Sequence, residues 1–216
     1  MATAIDWDAT SKAIQSLFYL AAILLGVLTY RRARTTILNT VNTEYHKKVI
    51  EKLADLSDTL HSEFDHSSES CWTKNDDVGN VVAIIHEHFE EEKEQLLEHK
   101  DWWHGIPVSK DEQRLHALNE RYKSDPFLPE PIRKRTLTLL DGRLEAIHST
   151  HMKVFGDYTD ALVQGKYLST LKTNKHWLHN QVNEGLRAAG YGIEEVEQEV
   201  HAIRLEIQNY FKKFEP

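Results

Sequence analysis

Apolar residues form an unbroken run close to the start of the sequence. Between Lys12 and Arg31 the chain has 18 residues without a single charge. At about 1.5 Å per residue, a helix of this length reaches roughly 27 Å, close to the ~30 Å hydrocarbon core of a bilayer. The run is apolar on every face, whereas a helix packed on one side of a soluble core keeps a polar stripe. The pattern therefore predicts a transmembrane helix over residues 13–30.

The charges on either side of this run predict its orientation. Arg31, Arg32 and Arg34 follow it, whereas residues 1–12 sum to −1. Because positive charges are retained on the cytoplasmic side, we expect residues 1–12 to be a short extracytoplasmic N-terminus and the rest of the chain to be cytoplasmic, anchored in the cell (inner) membrane. The alternative of a cleaved signal peptide is disfavoured, since the run ends in Tyr30 and arginines rather than in a small-residue cleavage site.

Two small residues lie one helical turn apart within the predicted span. Ala22 and Gly26 form a small-xxx-small pair, which lets two helix backbones approach closely in lipid. We therefore expect Ala22 and Gly26 to support a homo-oligomer within the lipid bilayer.

After the span, apolar residues recur every three or four positions, which predicts helices rather than strands. No Pro or Gly lies between Val27 and Asp65, so we predict that the transmembrane helix continues into a juxtamembrane helix over residues 31–65. The mean spacing of its apolar stripe is close to the ~3.6 of a straight helix. The stripe consists of Leu38, Val41, Tyr45, Val49, Leu53, Leu56, Leu60 and Phe64.

Polar breaks divide residues 66–216 into five further predicted helices. The first begins with Asp76 or Asp77 as its N-cap and carries apolar residues as far as Leu96. The second begins at Ser109 and Glu112, which have the spacing of a capping box. Prolines within residues 125–131 exclude a helix there and predict a hinge. The last three helices are predicted from about Ile132 to Val163, after Gly165 as far as Gly190, and from Ile193 to Phe214.

These elements together predict the fold class and the domain organisation. We expect an all-α protein with one N-terminal transmembrane helix that continues into a long juxtamembrane helix. A cytosolic multi-helix bundle follows over residues 66–216.

Composition and charge exclude several classes of function. The chain has 26 Lys and Arg against 34 Asp and Glu, a net charge of −8, and the residues after Arg34 alone carry −10. This acidic balance excludes a broad nucleic-acid surface, since phosphate contacts are made mainly by Lys and Arg. The single Cys excludes an internal disulfide and a Cys-based zinc cluster.

One acidic run is a candidate contact for a protein partner. Its five glutamates are most typical of a solvated helix face, and the alternative is a docking surface for a basic partner. They are Glu90, Glu91, Glu92, Glu94 and Glu98.

Histidine is the compositional anomaly, with 13 residues. His148 and His151, like His176 and His179, are three residues apart, so each pair shares a helix face that a metal ion can bridge. The glutamates that accompany such pairs in a di-metal bundle are incomplete. His151 also lies on an apolar stripe, which indicates a buried, hydrogen-bonded core residue. We therefore assign no catalytic residue, cofactor or metal, and keep these four histidines as candidate ligands.

Three hypotheses for function follow. The first is a non-enzymatic, single-pass membrane-anchored interaction or scaffold protein that self-associates. The second is an oligomeric membrane effector or channel-like assembly that is triggered through its cytosolic domain. The third is a metal-binding helical-bundle enzyme or sensor built on the histidine pairs.

Overall fold

The computed structural model describes residues 7–74 and 77–213, without the side chains of residues 7–10, 13 and 14. These residues form α-helices and two short 3₁₀ helices and no strand, which confirms the all-α prediction. The structure divides after Val49 into two units. The helices are α1 (Trp7–His61), α2 (Asp77–Glu91), α3 (Lys93–His99), α4 (Lys110–Lys123), α5 (Glu130–Val163), α6 (Asn174–Ala188) and α7 (Ile193–Lys212), and the 3₁₀ helices are Trp72–Lys74 and Leu168–Thr173.

The first unit contains the part of α1 up to Val49. Every side chain from residue 15 to residue 45 is exposed. Within the described chain, α1 is the one helix that is long and apolar enough to cross a membrane by length and composition. The predicted N-terminal segment over residues 1–12 lies largely outside the described residues.

The second unit is a bundle built around α5, which contacts α4, α6 and α7. The apolar stripe of α5 on which His151 lies is buried, apart from its half-buried member Leu144. Helices α5 and α6 approach closely where a Cβ on Gly185 would lie 2.6 Å from Cγ2 of Thr150. The buried members of the stripe are Leu140, Ile147, His151, Phe155, Tyr158 and Leu162.

Buried apolar residues of α2, α3, α5 and α6 form one continuous cluster. Phe89 of α2 and Phe155 of α5 are among its fully buried members. The spacing of the apolar residues in α2 predicted that they share one helix face, and the structure shows that this face is buried. The α2 members are Val78, Val81, Val82, Ile85 and Phe89.

The single helix predicted through Leu96 is wrong, because the structure interrupts it at Glu92. Glu92 has φ −118° and ψ 20°, which is not helical, and α3 begins at Lys93. Its carboxylate accepts a hydrogen bond from Nε1 of Trp103 at 2.8 Å. The spacing of apolar residues does not reveal this bond, because Trp103 lies eleven positions after Glu92. The apolar pattern therefore gave no sign of the break.

Of the two residues predicted as the N-cap of α2, Asp76 and Asp77, the structure describes only Asp77. Helix α2 does begin at Asp77, while Asp76 lies outside the described residues. The Asp77 carboxylate, however, accepts hydrogen bonds from the backbone N–H groups of Lys110 at 2.9 Å and Asp111 at 3.3 Å. It therefore caps α4, whose first N–H groups have no partner within their own helix.

Three predicted boundaries shift. Helix α1 ends at His61, so Glu63 rather than Phe64 is buried. Helix α5 begins at Glu130, with Pro131 in the first turn, where a missing N–H costs nothing. The stretch before α6 forms a 3₁₀ helix over Leu168–Thr173. The hinge at residues 125–131 stays a prediction, and Phe214 lies outside the described residues.

Candidate functional site

A buried ion pair joins the segment after α1 to α5. Nη1 of Arg143 donates to Oε2 of Glu63 at 2.7 Å, and Nη2 of Arg143 donates to the other oxygen. Nη2 of Arg114 on α4 lies 3.1 Å from the same Oε2. Burial alone raises the pKa of Glu63, but the hydrogen bonds and charges of the two arginines hold it at about 2. Glu63 is therefore a buried carboxylate shared by two cations.

The first turn of α4 lies beside this ion pair. Oγ of Ser109 accepts from the backbone N–H of Glu112, and the backbone N–H of Ser109 donates to Oε2 of Glu112, both at 3.1 Å. These two bonds confirm the predicted capping box. Burial raises the pKa of Asp111 in the same turn, and the nearby charges of Arg114 and Arg143 oppose that rise.

Both histidines of the first candidate pair contact Glu112. Nδ1 of His148 lies 3.1 Å from Oε1 of Glu112, and Nδ1 of His151 lies 3.4 Å from Oε2. Burial on its own raises the pKa of Glu112, but hydrogen bonds from Ser109 and His148 lower it, so the group is a carboxylate. A carboxylate only accepts, so each imidazole donates from Nδ1. The expected buried, hydrogen-bonded His151 is found, and its partner is a residue that sequence analysis had assigned only to a cap.

The two imidazoles face different cavities. His148 lines a groove of about 660 Å³ between α4 and α5, together with Glu112, His116 and Glu145. His151 lines a separate cleft of about 330 Å³. Side-chain exposure differs accordingly, at 63% for His148 and 6% for His151. The residues of the cleft include Glu63, Asp77, Asp111, Arg143, His179, Arg187 and Tyr191.

The second candidate pair lies on α6 and is exposed. His176 and His179 both face solvent, and Nδ2 of Asn183 donates to Nδ1 of His179 at 3.0 Å. Although His151 and His179 line one cleft, within residues 7–74 and 77–213 no group of three or more His, Cys, Asp or Glu side chains is arranged to hold a metal ion.

The acidic run divides into four exposed glutamates and one that is built into the fold. Glu90, Glu91, Glu94 and Glu98 are exposed. Glu92 is half-buried, bonded to Trp103, and its Oε2 lies 3.3 Å from Nε2 of His104. The ring of His104 also stacks on that of His88 with centroids 4.5 Å apart. Glu92 is therefore a structural residue. The remaining glutamates form an exposed acidic surface, in which Glu90 pairs with Lys93 at 3.3 Å.

Helix α1 places Ala22 and Gly26 on an exposed face, where a Cβ on Gly26 would meet no atom within 4 Å. Small residues continue this face at alternating intervals of three and four, past the end of the predicted span. Sequence analysis missed this feature because the small-xxx-small motif has a fixed interval of four. At about 100° per residue, the set stays within an arc of roughly 100°. It consists of Ala22, Gly26, Thr29, Ala33, Thr36, Thr40 and Thr43, here called the small-residue face.

Arg31, Arg32 and Arg34 are also exposed and lie directly after the apolar run. Two of their backbone carbonyls accept hydrogen bonds from threonines one turn later. Oγ1 of Thr35 donates to the carbonyl of Arg31, and Oγ1 of Thr36 donates to that of Arg32, both at 2.9 Å. The three guanidinium groups thus extend from a regular helix.

Comparison with protein-family models, with curated proteins and with solved structures gives no match for this chain.

Proposed function

We propose that the protein is a non-enzymatic, single-pass membrane-anchored interaction protein that self-associates through the small-residue face of α1. The observation that carries this proposal is the exposure of every side chain from residue 15 to residue 45. An apolar helix with this much exposed surface needs lipid, a partner chain, or both.

The small-residue face is suited to a second helix. Its interval averages 3.5 residues, the period at which two helices keep one seam in contact. Three of its four threonine hydroxyls are satisfied within the helix: Thr36 donates to the carbonyl of Arg32 at 2.9 Å, and Thr40 to that of Thr36 at 3.0 Å. Thr43 likewise donates to the carbonyl of Asn39 at 2.8 Å. A second backbone can therefore approach without leaving these donors unpaired.

We further propose that α1 spans the cell (inner) membrane with its N-terminus outside. Support comes from Arg31, Arg32 and Arg34, which follow the apolar run on an exposed helix. Positive charges in this position retain the following chain on the cytoplasmic side. In intact spheroplasts, added protease should leave the bundle uncut, and cutting of the bundle before lysis would contradict this orientation.

The function of the bundle is proposed to be the binding of a protein partner. Its exposed glutamates Glu90, Glu91, Glu94 and Glu98 offer a contact for a basic surface. No step of this proposal requires a catalytic residue or a cofactor.

Self-association is tested by Gly26→Ile, which adds a branched side chain to the small-residue face. Ala21→Ile adds a comparable apolar volume about 140° around the helix from Gly26, outside the small-residue face, and is the matched control. In native membranes, we expect chemical cross-linking to give dimers or larger species for the wild type and for Ala21→Ile, and a clear loss of them for Gly26→Ile. Recovery of only monomer from the wild type at every expression level would contradict the proposal.

A further inference from the structure

Glu112 is the junction at which α4 meets α5. One of its carboxylate oxygens accepts a hydrogen bond from Nδ1 of His148. The other accepts hydrogen bonds from Nδ1 of His151 and from the backbone N–H of Ser109. The same carboxylate thus completes the N-terminal cap of α4 and holds two imidazoles of α5.

His151 is the buried member of this junction, with 4% of its surface exposed. Its ring packs on Phe155 with centroids 5.1 Å apart. The charged groups around it are carboxylates from two helices, Glu112 and Asp111 of α4 and Asp77 of α2. The cleft beside it adds Glu63 from the segment after α1, Arg143 of its own helix, and His179 and Arg187 of α6.

The balance of these surroundings favours the neutral ring. Burial lowers the pKa of His151 below its usual 6.5, and the attraction of Glu112, Asp77 and Asp111 only partly offsets that effect. When the ring is neutral, Nδ1–H donates to Glu112, and no charge has to be desolvated for the ring to pack on Phe155. A proton taken up from solution makes this ring cationic where only 4% of its surface is exposed and where it packs on Phe155, so water solvates the charge poorly.

We propose that Glu112, His148 and His151 form an acid-responsive clamp, which releases the first turn of α4 when the solution around the bundle becomes acidic. Acidification drives His151 toward water, and Glu112 then loses one of the donors that hold it. The change spreads from the N-terminal part of α4. Its first turn contacts Asp77 of α2, and Arg114 in the next turn contacts Glu63 in the segment after α1.

The direction of the pH dependence follows from the lowered pKa. The folded clamp binds the His151 proton less tightly than the unfolded chain does, so the stability that the clamp gives is complete above pH 6.5. That stability decreases as the pH falls below this value toward the lower pKa of the folded state. The clamp does not depend on self-association, and a monomeric protein would still possess it.

Hydrogen–deuterium exchange of the full chain in detergent tests the clamp. Between about pH 7.5 and about pH 5.5, we expect protection of the backbone amides at Lys110–Leu115, corrected for intrinsic exchange rates, to fall in the wild type, with a limit of about tenfold for one titrating group. His151→Gln retains a hydrogen-bond donor and does not titrate, so its protection should not change over this range. His179→Gln alters an exposed imidazole of the same cleft and should respond as the wild type does.

The proposal is overturned if wild-type protection is unchanged, or if His151→Gln loses protection as the wild type does. Should His151→Gln fail to fold, the imidazole resonances of the wild type provide the test. Titration of His151 at or above pH 6.5, with α4 still protected, would also overturn it.

Discussion

Tyr191 occupies the space that a side chain at Gly142 would fill. A Cβ built on Gly142 would lie 1.8 Å from Oη of Tyr191 and 2.5 Å from Cζ. Gly142 lies in α5 and Tyr191 in the turn between α6 and α7, so this contact joins the end of α6 directly to the α5 backbone. The absence of a side chain at position 142 is what permits the approach.

Gly142→Ala should therefore destabilise the protein. The added methyl group forces the Tyr191 ring to move, at a cost of about 1–3 kcal/mol in the free energy of unfolding. Gly156→Ala is the matched control on the same helix, because a Cβ there meets no atom within 4 Å. It should be neutral or slightly stabilising, since Ala favours the helix over Gly. Urea denaturation measures both, and equal effects of the two substitutions would contradict this explanation.

Glu63→Gln should cost about 3–5 kcal/mol, because it leaves the buried charge of Arg143 without its counter-ion. Glu199→Gln alters a pair of similar geometry at the surface, where Nε of Arg135 donates to Glu199 at 2.6 Å. Arg135 also keeps Glu206 as a partner. The surface substitution should therefore cost at most about 1 kcal/mol. A loss for Glu63→Gln no larger than that for Glu199→Gln, in urea denaturation, would show that the pair is not a major source of stability.

The Glu63–Arg143 pair also predicts that the free energy of unfolding depends on pH in the acid range. The pKa of Glu63 is about 2 in the folded protein, against 4.5 for the unperturbed group. Its contribution to stability is complete above pH 4.5 and is lost as the pH falls toward 2, up to a total of about 3 kcal/mol. The difference in unfolding free energy between the wild type and Glu63→Gln should therefore shrink from about pH 6 to about pH 3. A constant difference over that range would be inconsistent with the lowered pKa.

Within the acidic run, Glu92 should differ from its neighbours. Glu92→Ala removes the acceptor for Nε1 of Trp103 and should cost about 1–2 kcal/mol. Glu94→Ala changes an exposed side chain, and its effect should stay within about 0.5 kcal/mol. Thermal unfolding followed by tryptophan fluorescence distinguishes the two, and a similar shift for both would mean that the Trp103 contact is unimportant.

Local signals predicted most of the helices. Leu140, Ile147 and Phe155 of α5 recur with the helical period and are buried, and Ser109 and Glu112 form the capping box that their spacing indicates. Such features depend on residues within a few positions of one another, so the sequence displays them directly.

Long-range polar contacts were not predictable in the same way. Asp77 caps a helix that begins 33 residues later, and Glu63 pairs with Arg143 across 80 residues. In the sequence, each of these carboxylates resembles an ordinary surface residue, because its burial depends on a partner from another helix. The Ala22 and Gly26 pair has the small-xxx-small spacing within the apolar span. Its continuation through Ala33 to Thr43 alternates intervals of three and four beyond that span, so the motif does not display it.

Disulfide cross-linking in native membranes tests self-association through the small-residue face most directly. In a Cys71→Ser background, which removes the one native cysteine, Ala33→Cys and Thr40→Cys place a thiol on that face. Thr35→Cys and Asn42→Cys place it on roughly the opposite side of α1. Mild oxidation should give disulfide-linked dimers from the first two variants and not from the second two. Equal cross-linking of all four, or cross-linking confined to positions 35 and 42, would contradict the account.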